Sequence, residues 1–122
     1  MSQIADVMQR YATYVTAGDV AGIVSLYAAD GTAEIPVGGP VHRGIDAVRK
    51  FYHENELAES LEITGNACVA GNEAAVPMRA VVRQDGHRLE LDVIDVAAID
   101  DQGRLTQLRA FFDLAGARPI PD

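Results

Sequence analysis

Residues 88–99 read RLELDVIDVAAI, and the alternation of side chains in this segment decides the fold of the chain. In an extended strand, alternate residues share a face. One face therefore carries two apolar residues followed by an acid, namely Leu91, Val93 and Asp95. The short period, together with several β-branched residues, predicts a strand and argues against a helix.

Strand patterns also flank this segment on both sides. They occupy residues 61–69 and 73–83 before it and residues 105–114 after it. The connections between them carry residues that favour tight hairpins, namely Gly71-Asn72, Asp85-Gly86 and Asp101-Gln102-Gly103. The second half of the chain therefore reads as four consecutive antiparallel strands.

The first half of the chain is mainly helical in pattern. Apolar residues recur at helical spacing, and the elements predicted are helices at 3–16, 20–27 and 46–55 and one strand at 32–37. Gly18 suits the left-handed end of the first helix, and Asp19 suits the N-cap of the second. On the predicted strand, Ile35 and its alternate neighbours face one side, whereas Glu34 faces the other.

This order of elements predicts an α+β fold. Three N-terminal helices pack on one face of a curved, mostly antiparallel sheet and enclose a cone with an internal pocket. A chain of 122 residues suits a single domain over 1–122. Within that domain, residues 116–122 are expected to form a loose tail.

Composition excludes several classes of function. The formal net charge of −8 argues against nucleic acid and against anionic membranes as partners. No transmembrane segment and no signal peptide is expected. The one cysteine, Cys68, is expected to be a small buried residue of a cytoplasmic protein. No pair of His or acidic residues has metal-ligand spacing, so no metal and no cofactor is expected.

Asp95 is the first candidate for chemistry. A carboxyl group among apolar neighbours is expensive to ionise, so burial raises its pKa and favours the neutral acid. A neutral carboxylic acid can donate a hydrogen bond. The alternative is that Asp95 lies solvated at the end of its strand and has no function.

Tyr11 is the second candidate, because it lies on the apolar stripe of the first helix. A buried phenol needs a hydrogen-bond partner. Tyr27 and Tyr52 are also expected on inward helix faces, which would allow the three hydroxyls to form one chain in which each donor polarises the next. The alternative is a core tyrosine whose hydroxyl binds a backbone carbonyl.

Several segments of the chain match one known family. They are Gln9-Arg10-Tyr11, Ala17-Gly18-Asp19, residues 23–30 (IVSLYAAD), Pro36-Val37-Gly38, Phe51-Tyr52 and, most specifically, residues 91–96 (LDVIDV). Over nearly its whole length the chain resembles ketosteroid isomerases, the steroid Δ-isomerases of the nuclear-transport-factor-2-like cone fold.

The resemblance implies a homodimer whose pocket takes a small apolar steroid or phenolic ligand. It implies that Tyr11 and a protonated Asp95 form an oxyanion hole for the ligand's carbonyl oxygen as that oxygen becomes part of a dienolate, with Tyr27 and Tyr52 supporting Tyr11 from behind. It also implies a ligand-contacting wall, although the same residues would equally serve as core: Phe51, Val76, Met78, Val82 and Phe112.

One position departs from the family pattern. The family has an aspartate as general base directly before the proline of Pro36-Val37-Gly38, and this chain has Ile35 there. Isoleucine cannot accept a proton. Glu34 is adjacent but expected to face outward, and a group after Tyr52 is the other candidate substitute, namely His53, Glu54 or Glu56.

Three explanations of Ile35 stay open at this point. The chain is either a relative that lost the base, a variant in which the base was replaced, or a protein that takes its base from elsewhere. The leading hypothesis is a steroid Δ-isomerase with impaired activity. The alternatives are a non-catalytic steroid- or phenol-binding module and, third, an epoxide hydrolase or polyketide cyclase. The third needs an acid–base pair in the pocket, which the sequence is not expected to supply.

Overall fold

The computed structural model describes residues 3–121. The first half of the chain contains α1 (Gln3–Ala17), α2 (Val20–Ser25), β1 (Tyr27–Glu34), β2 (Val41–Arg43) and α3 (Ile45–Glu54). The second half contains β3 (Ser60–Ile63), β4 (Cys68–Ala70), β5 (Glu73–Gln84), β6 (His87–Ile99), β7 (Leu105–Phe111), a 3-10 turn (Leu114–Gly116) and β8 (Arg118–Ile120).

The strands form one curved, open sheet on which the three helices pack. Its main path runs in the order β2-β1-β7-β6-β5-β3, with β4 paired to β5 and β8 paired to β6. Neighbouring strands are antiparallel, except that β1 and β7 are parallel. The predicted α+β class and its mostly antiparallel sheet are confirmed.

The long hairpin of β5 and β6 fixes which side chains face the helices. Its turn, Asp85-Gly86, has positive φ at both residues, 53° and 78°, as a type I′ hairpin turn requires. In this register Asp95 lies opposite Val76. The buried positions of β6 are alternate ones, from Leu91 to Ile99, so the alternation in the sequence directs Asp95 toward the helices.

Helix α1 covers the inner face of the sheet with a continuous apolar stripe: Ile4, Val7, Met8, Tyr11, Ala12 and Val15 are all buried. Gly18 ends the helix with a left-handed φ of 67°. Asp19 then caps α2 by accepting a hydrogen bond from the Gly22 amide at 2.9 Å. Both the end of α1 at Gly18 and the cap of α2 at Asp19 were predicted, and the structure confirms them.

Tyr27 is the first correction to the predicted elements. It was expected on a helix, but α2 ends at Ser25 and Tyr27 begins β1. The cause is pairing with a distant strand: the Leu26 carbonyl accepts a hydrogen bond from the Leu105 amide at 2.8 Å, which draws the chain into the sheet.

Residues 61–69 form two short strands, not the one strand predicted. β3 ends at Ile63 and β4 starts at Cys68, and both pair with β5. All three residues of β4 are exposed, so the prediction of a buried Cys68 is wrong. A three-residue strand at the edge of the sheet has no layer packed over it.

The expected loose tail is also wrong for residues 116–121. β8 pairs with β6, and the Arg118 guanidinium binds Glu90 at 3.3 Å and Asp92 at 3.2 Å. Carboxylates on the solvent face of β6 therefore hold this segment in place. Among residues 3–121, no helix combines the length and the apolar character needed to cross a membrane.

Candidate active site

A cavity of about 160 Å³ lies between the helices and the inner face of the sheet. Its walls are mostly apolar, with four side chains that bear ionisable or hydroxyl groups. The lining residues are Tyr11, Val15, Ile35, Phe51, Tyr52, Glu56, Leu57, Ala58, Leu61, Ala80, Val82, Leu91, Val93, Asp95, Ala110 and Phe112.

Asp95 is the one charged or polar side chain among the fully buried residues described. It is only 2% exposed, and its carboxyl group receives no hydrogen bond from any residue in 3–121. Burial raises its pKa from 3.8 to about 7. A substantial fraction of the group is therefore neutral at pH 7 and has a proton to donate into the cavity.

Three tyrosine hydroxyls form a chain next to this acid. The Tyr52 hydroxyl oxygen lies 3.0 Å from that of Tyr11 and 2.7 Å from that of Tyr27. Burial raises the pKa of all three phenols, so they keep their protons. If Tyr27 donates to Tyr52 and Tyr52 to Tyr11, the Tyr11 proton is left free for a ligand.

Tyr11 and Asp95 belong to different layers but line the same cavity. Burial is the main cause of the raised pKa of Tyr11, and the charges of Tyr27 and Asp95 raise it further. The two groups are therefore close enough to interact electrostatically. Chemically, the pair offers an O–H donor from a helix and an O–H donor from a strand, both inside an apolar cavity.

Ile35 also lines this cavity, just beyond the end of β1 and before Pro36. Glu34 does not. Its carboxylate binds Arg109 Nε at 3.0 Å and the Gly38 amide at 3.1 Å, and these hydrogen bonds lower its pKa. Glu34 therefore faces away from the cavity, as the strand alternation predicted.

Among the candidates after Tyr52, the structure separates Glu56 from the others. His53, Glu54 and Glu56 are all exposed, but only Glu56 lines the cavity. The expectation that Asp95 would have no second acid or base in its pocket is therefore wrong. The sequence named Glu56 only as one of three candidates, because spacing does not fix the direction of a side chain in the irregular connection between α3 and β3.

The structure places only some of the predicted ligand-contacting residues in the wall of the cavity. Phe51, Val82 and Phe112 line the cavity, but Val76 and Met78 do not. The latter two are 1% exposed and lie at the positions of β5 paired with Asp95 and Val93, so they form the core behind the cavity wall. Residues that the sequence reasoning missed are Val15, Leu57, Ala58, Leu61, Ala80, Leu91, Val93 and Ala110.

A second, open cavity of about 620 Å³ adjoins the first. The two share four lining residues, namely Ile35, Glu56, Val82 and Phe112, so these residues lie at the boundary where the two cavities meet. The outer cavity is more polar, with Asn55, Arg83, Gln84 and Asp113 in its wall. We call it the vestibule. An elongated ligand can place one end near Asp95 and the other in the vestibule.

No group of three or more His, Cys, Asp or Glu side chains within residues 3–121 is arranged to hold a metal ion.

Comparisons with known proteins place this geometry in context. The sequence pattern of the SnoaL-like domain matches residues 8–108. The chain is 34% identical over 112 residues to the steroid Δ-isomerase of Nocardioides simplex, covering 91% of this chain and 90% of that protein. Its structure is similar to SalBIII, an epoxide hydrolase/cyclase-like enzyme with a role in pyran ring formation in the polyether salinomycin, with a TM-score of 0.85, 25% identity and coverage of 96% and 95%.

Proposed function

This chain belongs to the SnoaL-like domain family, and from that premise we propose that it is a steroid Δ-isomerase-type protein that shifts the double bond of a 3-oxo-Δ5 steroid. The observation that carries the proposal is Asp95, a buried carboxyl group with no hydrogen-bond partner among residues 3–121, in the same cavity as the Tyr11 hydroxyl. The identity to a steroid Δ-isomerase supports the choice of substrate class.

The proposed mechanism uses Tyr11 and Asp95 as an oxyanion hole. The substrate's 3-oxo oxygen accepts hydrogen bonds from both, and these bonds strengthen as the oxygen gains charge in the dienolate. Tyr52 and Tyr27 would stabilise the charge on the Tyr11 side if Tyr27 donates to Tyr52 and Tyr52 donates to Tyr11 across the two observed hydroxyl contacts. No cofactor takes part.

The size of the two cavities supports an elongated apolar ligand. The inner cavity of about 160 Å³ is smaller than the roughly 300–1,000 Å³ of typical ligand sites. The carbonyl-bearing ring would therefore occupy the inner cavity, and the remaining rings would pass Ile35 and Phe112 into the vestibule. A phenol, which resembles the dienolate end alone, would fit the inner cavity.

We expect activity to be impaired, because Ile35 occupies the family's base position. General-base catalysis typically contributes about 10²–10⁴-fold. The experiment measures isomerisation of a 5-ene-3-oxo steroid by the absorbance of the conjugated enone, for the natural chain, Ile35→Asp and the matched control Ile35→Asn. Only the aspartate should increase the rate strongly. An inert aspartate variant that still binds the steroid would contradict the isomerase proposal and favour a binding module.

A second candidate, opening of an epoxide by hydrolysis or cyclisation, is favoured by the similarity to SalBIII. Such a reaction needs an acid for the epoxide oxygen, and neutral Asp95 fits that role. Product analysis with an epoxide and an epoxy-alcohol, for the natural chain and Asp95→Asn, distinguishes the two candidates. Turnover that requires Asp95, without steroid isomerisation, would favour this second function.

We also propose that the protein is a cytoplasmic homodimer. Ile94 and Phe111 are exposed, lie opposite each other on β6 and β7, and so form an apolar patch on the sheet face away from the cavity, where a second copy would cover them. Sedimentation should give a dimer for the natural chain and a monomer for the Ile94→Asp, Phe111→Asp double variant. A natural chain that sediments as a monomer would contradict this.

A further inference from the structure

We propose that Glu56 supplies the proton-accepting carboxylate of this cavity, in place of the base that position 35 lacks. The inference rests on the proposed isomerase function and names the residue that would act as its general base. Two carboxyl groups line the inner cavity, those of Asp95 and Glu56. Asp95 must keep its proton in order to donate to the substrate oxygen, so Glu56 is the carboxylate left to accept one.

The position of Glu56 matches the position of the missing base. Ile35 and Glu56 both line the inner cavity, and both line the vestibule. They therefore border the same passage, and a ligand that passes Ile35 also passes Glu56. A base is needed at this level of the cavity, because the carbon that loses a proton is next to the carbonyl carbon held at Tyr11 and Asp95.

Glu56 is also free to act, unlike the other glutamates nearby. It forms no ion pair or hydrogen bond within residues 3–121. By contrast, Glu34 is bound by Arg109, Glu59 is bound by Arg83 and Arg88, and Glu54 lies 4.0 Å from Lys50. A carboxylate held by an arginine has its lone pairs occupied and is a weaker proton acceptor.

The anchor for Glu56 is helix α3. Glu56 lies two residues beyond the end of α3 and four beyond Tyr52, whose hydroxyl is fixed between Tyr11 and Tyr27. The Asn55 side chain binds the Phe51 carbonyl at 2.8 Å and closes the end of the helix. The same helix therefore positions a member of the tyrosine chain and the proposed base.

The proton transfer balances without any other reactant. A Glu56 oxygen forms a bond to hydrogen as the C4–H bond of the substrate breaks, and the electron pair of that bond enters the dienolate, whose oxygen binds Tyr11 and Asp95. The Glu56 O–H bond then breaks, and a C6–H bond forms as the electron pair returns.

The test compares Glu56→Gln with the matched control Glu54→Gln, which changes an exposed glutamate near the end of the same helix. Isomerisation of the 5-ene-3-oxo steroid and affinity for phenol are measured for each. We expect Glu56→Gln to lose about 10²–10⁴-fold in turnover with phenol affinity unchanged, and Glu54→Gln to lose neither. Adding Ile35→Asp to Glu56→Gln should restore turnover, because it returns a carboxylate to the same passage.

Other outcomes separate this inference from the proposed function. If Glu56→Gln turns over like the natural chain, or if the natural chain is inert while Ile35→Asp is active, the Glu56 inference is overturned and the isomerase proposal stands. If every variant binds phenol and none isomerises the steroid, both are overturned. Unchanged phenol affinity also shows that a variant is folded.

Discussion

The hydroxyl oxygens of Tyr11 and Tyr52 lie 3.0 Å apart, although the residues are 41 positions apart in the chain and belong to different helices. Tyr52 also binds Tyr27 of β1, at 2.7 Å. One hydroxyl therefore connects two helices and the sheet inside the core. When Tyr52 donates to Tyr11, the Tyr11 proton is left free for the cavity.

Phenylalanine substitutions should separate the roles of the three tyrosines. Tyr11→Phe removes the donor that faces the ligand, so we expect the largest loss of phenol affinity, followed by Tyr52→Phe and then Tyr27→Phe. For stability the expected order differs, because Tyr52→Phe leaves two buried hydroxyls without partners, at about 1–3 kcal/mol each. Calorimetry measures the order of phenol affinities, and urea unfolding measures the order of stabilities. If Tyr27→Phe lost as much phenol affinity as Tyr11→Phe, the proposed chain of tyrosine hydroxyls would be contradicted.

Asp95 should make the protein less stable as pH rises. Its folded pKa, about 7, lies above the 3.8 of an exposed aspartate, so the folded state binds more protons between these values. The free energy of unfolding then falls from about pH 4 to pH 7, by on the order of 4 kcal/mol, and levels off above pH 7.

Asp95→Asn is the matched variant for this prediction. An amide of the same shape does not ionise, so the variant should be more stable than the natural chain at pH 8 and should gain little at pH 4. Urea unfolding at both pH values is the measurement. An equal change in stability at the two pH values would mean that Asp95 is not the titrating group.

The affinity for a ligand should also depend on whether Asp95 is protonated. A 4-ene-3-oxo steroid does not titrate, and of its two proposed donors Tyr11 keeps its proton, whereas Asp95 donates only while it is neutral. We expect a constant affinity below pH 7 and a tenfold loss per pH unit well above it. The Asp95→Asn variant donates at every pH, so its affinity should be modestly weaker at low pH and nearly flat. A flat profile for the natural chain would exclude the neutral acid as the donor.

Glu34 should matter for stability and not for turnover. Arg109 and the Gly38 amide hold its carboxylate outside the cavity and lower its pKa. The stabilisation that Glu34 gives the folded state is therefore present at neutral pH, and it is lost as the pH falls through the lowered pKa of Glu34 in the folded protein. Glu34→Gln should lower the melting temperature at pH 7 and leave the isomerisation rate unchanged. A rate loss without a stability loss would place Glu34, and not Glu56, in the reaction.

Much of the fold could be read from local pattern. The hairpin turns, the caps at Gly18 and Asp19 and the alternation in β6 are set by neighbouring residues, so they were predictable. Two expectations were wrong because a contact with a distant residue determines the structure. Tyr27 was expected on a helix but lies in the sheet, where the Leu26 carbonyl binds the Leu105 amide. The tail was expected to be loose but is held by the ion pairs of Arg118. Exposure of Cys68 was likewise decided by the edge position of its strand.

The sequence by itself determined that a carboxyl group and a phenol would face one interior, because the periods of a strand and a helix are local properties. Only the tertiary structure decided what surrounds them. It placed Val76 and Met78 behind the cavity wall, paired Glu34 with Arg109 and put Glu56 in the lining of the same cavity as Ile35. Contacts between residues far apart in the chain depend on how the layers pack, and packing has no period that a sequence displays.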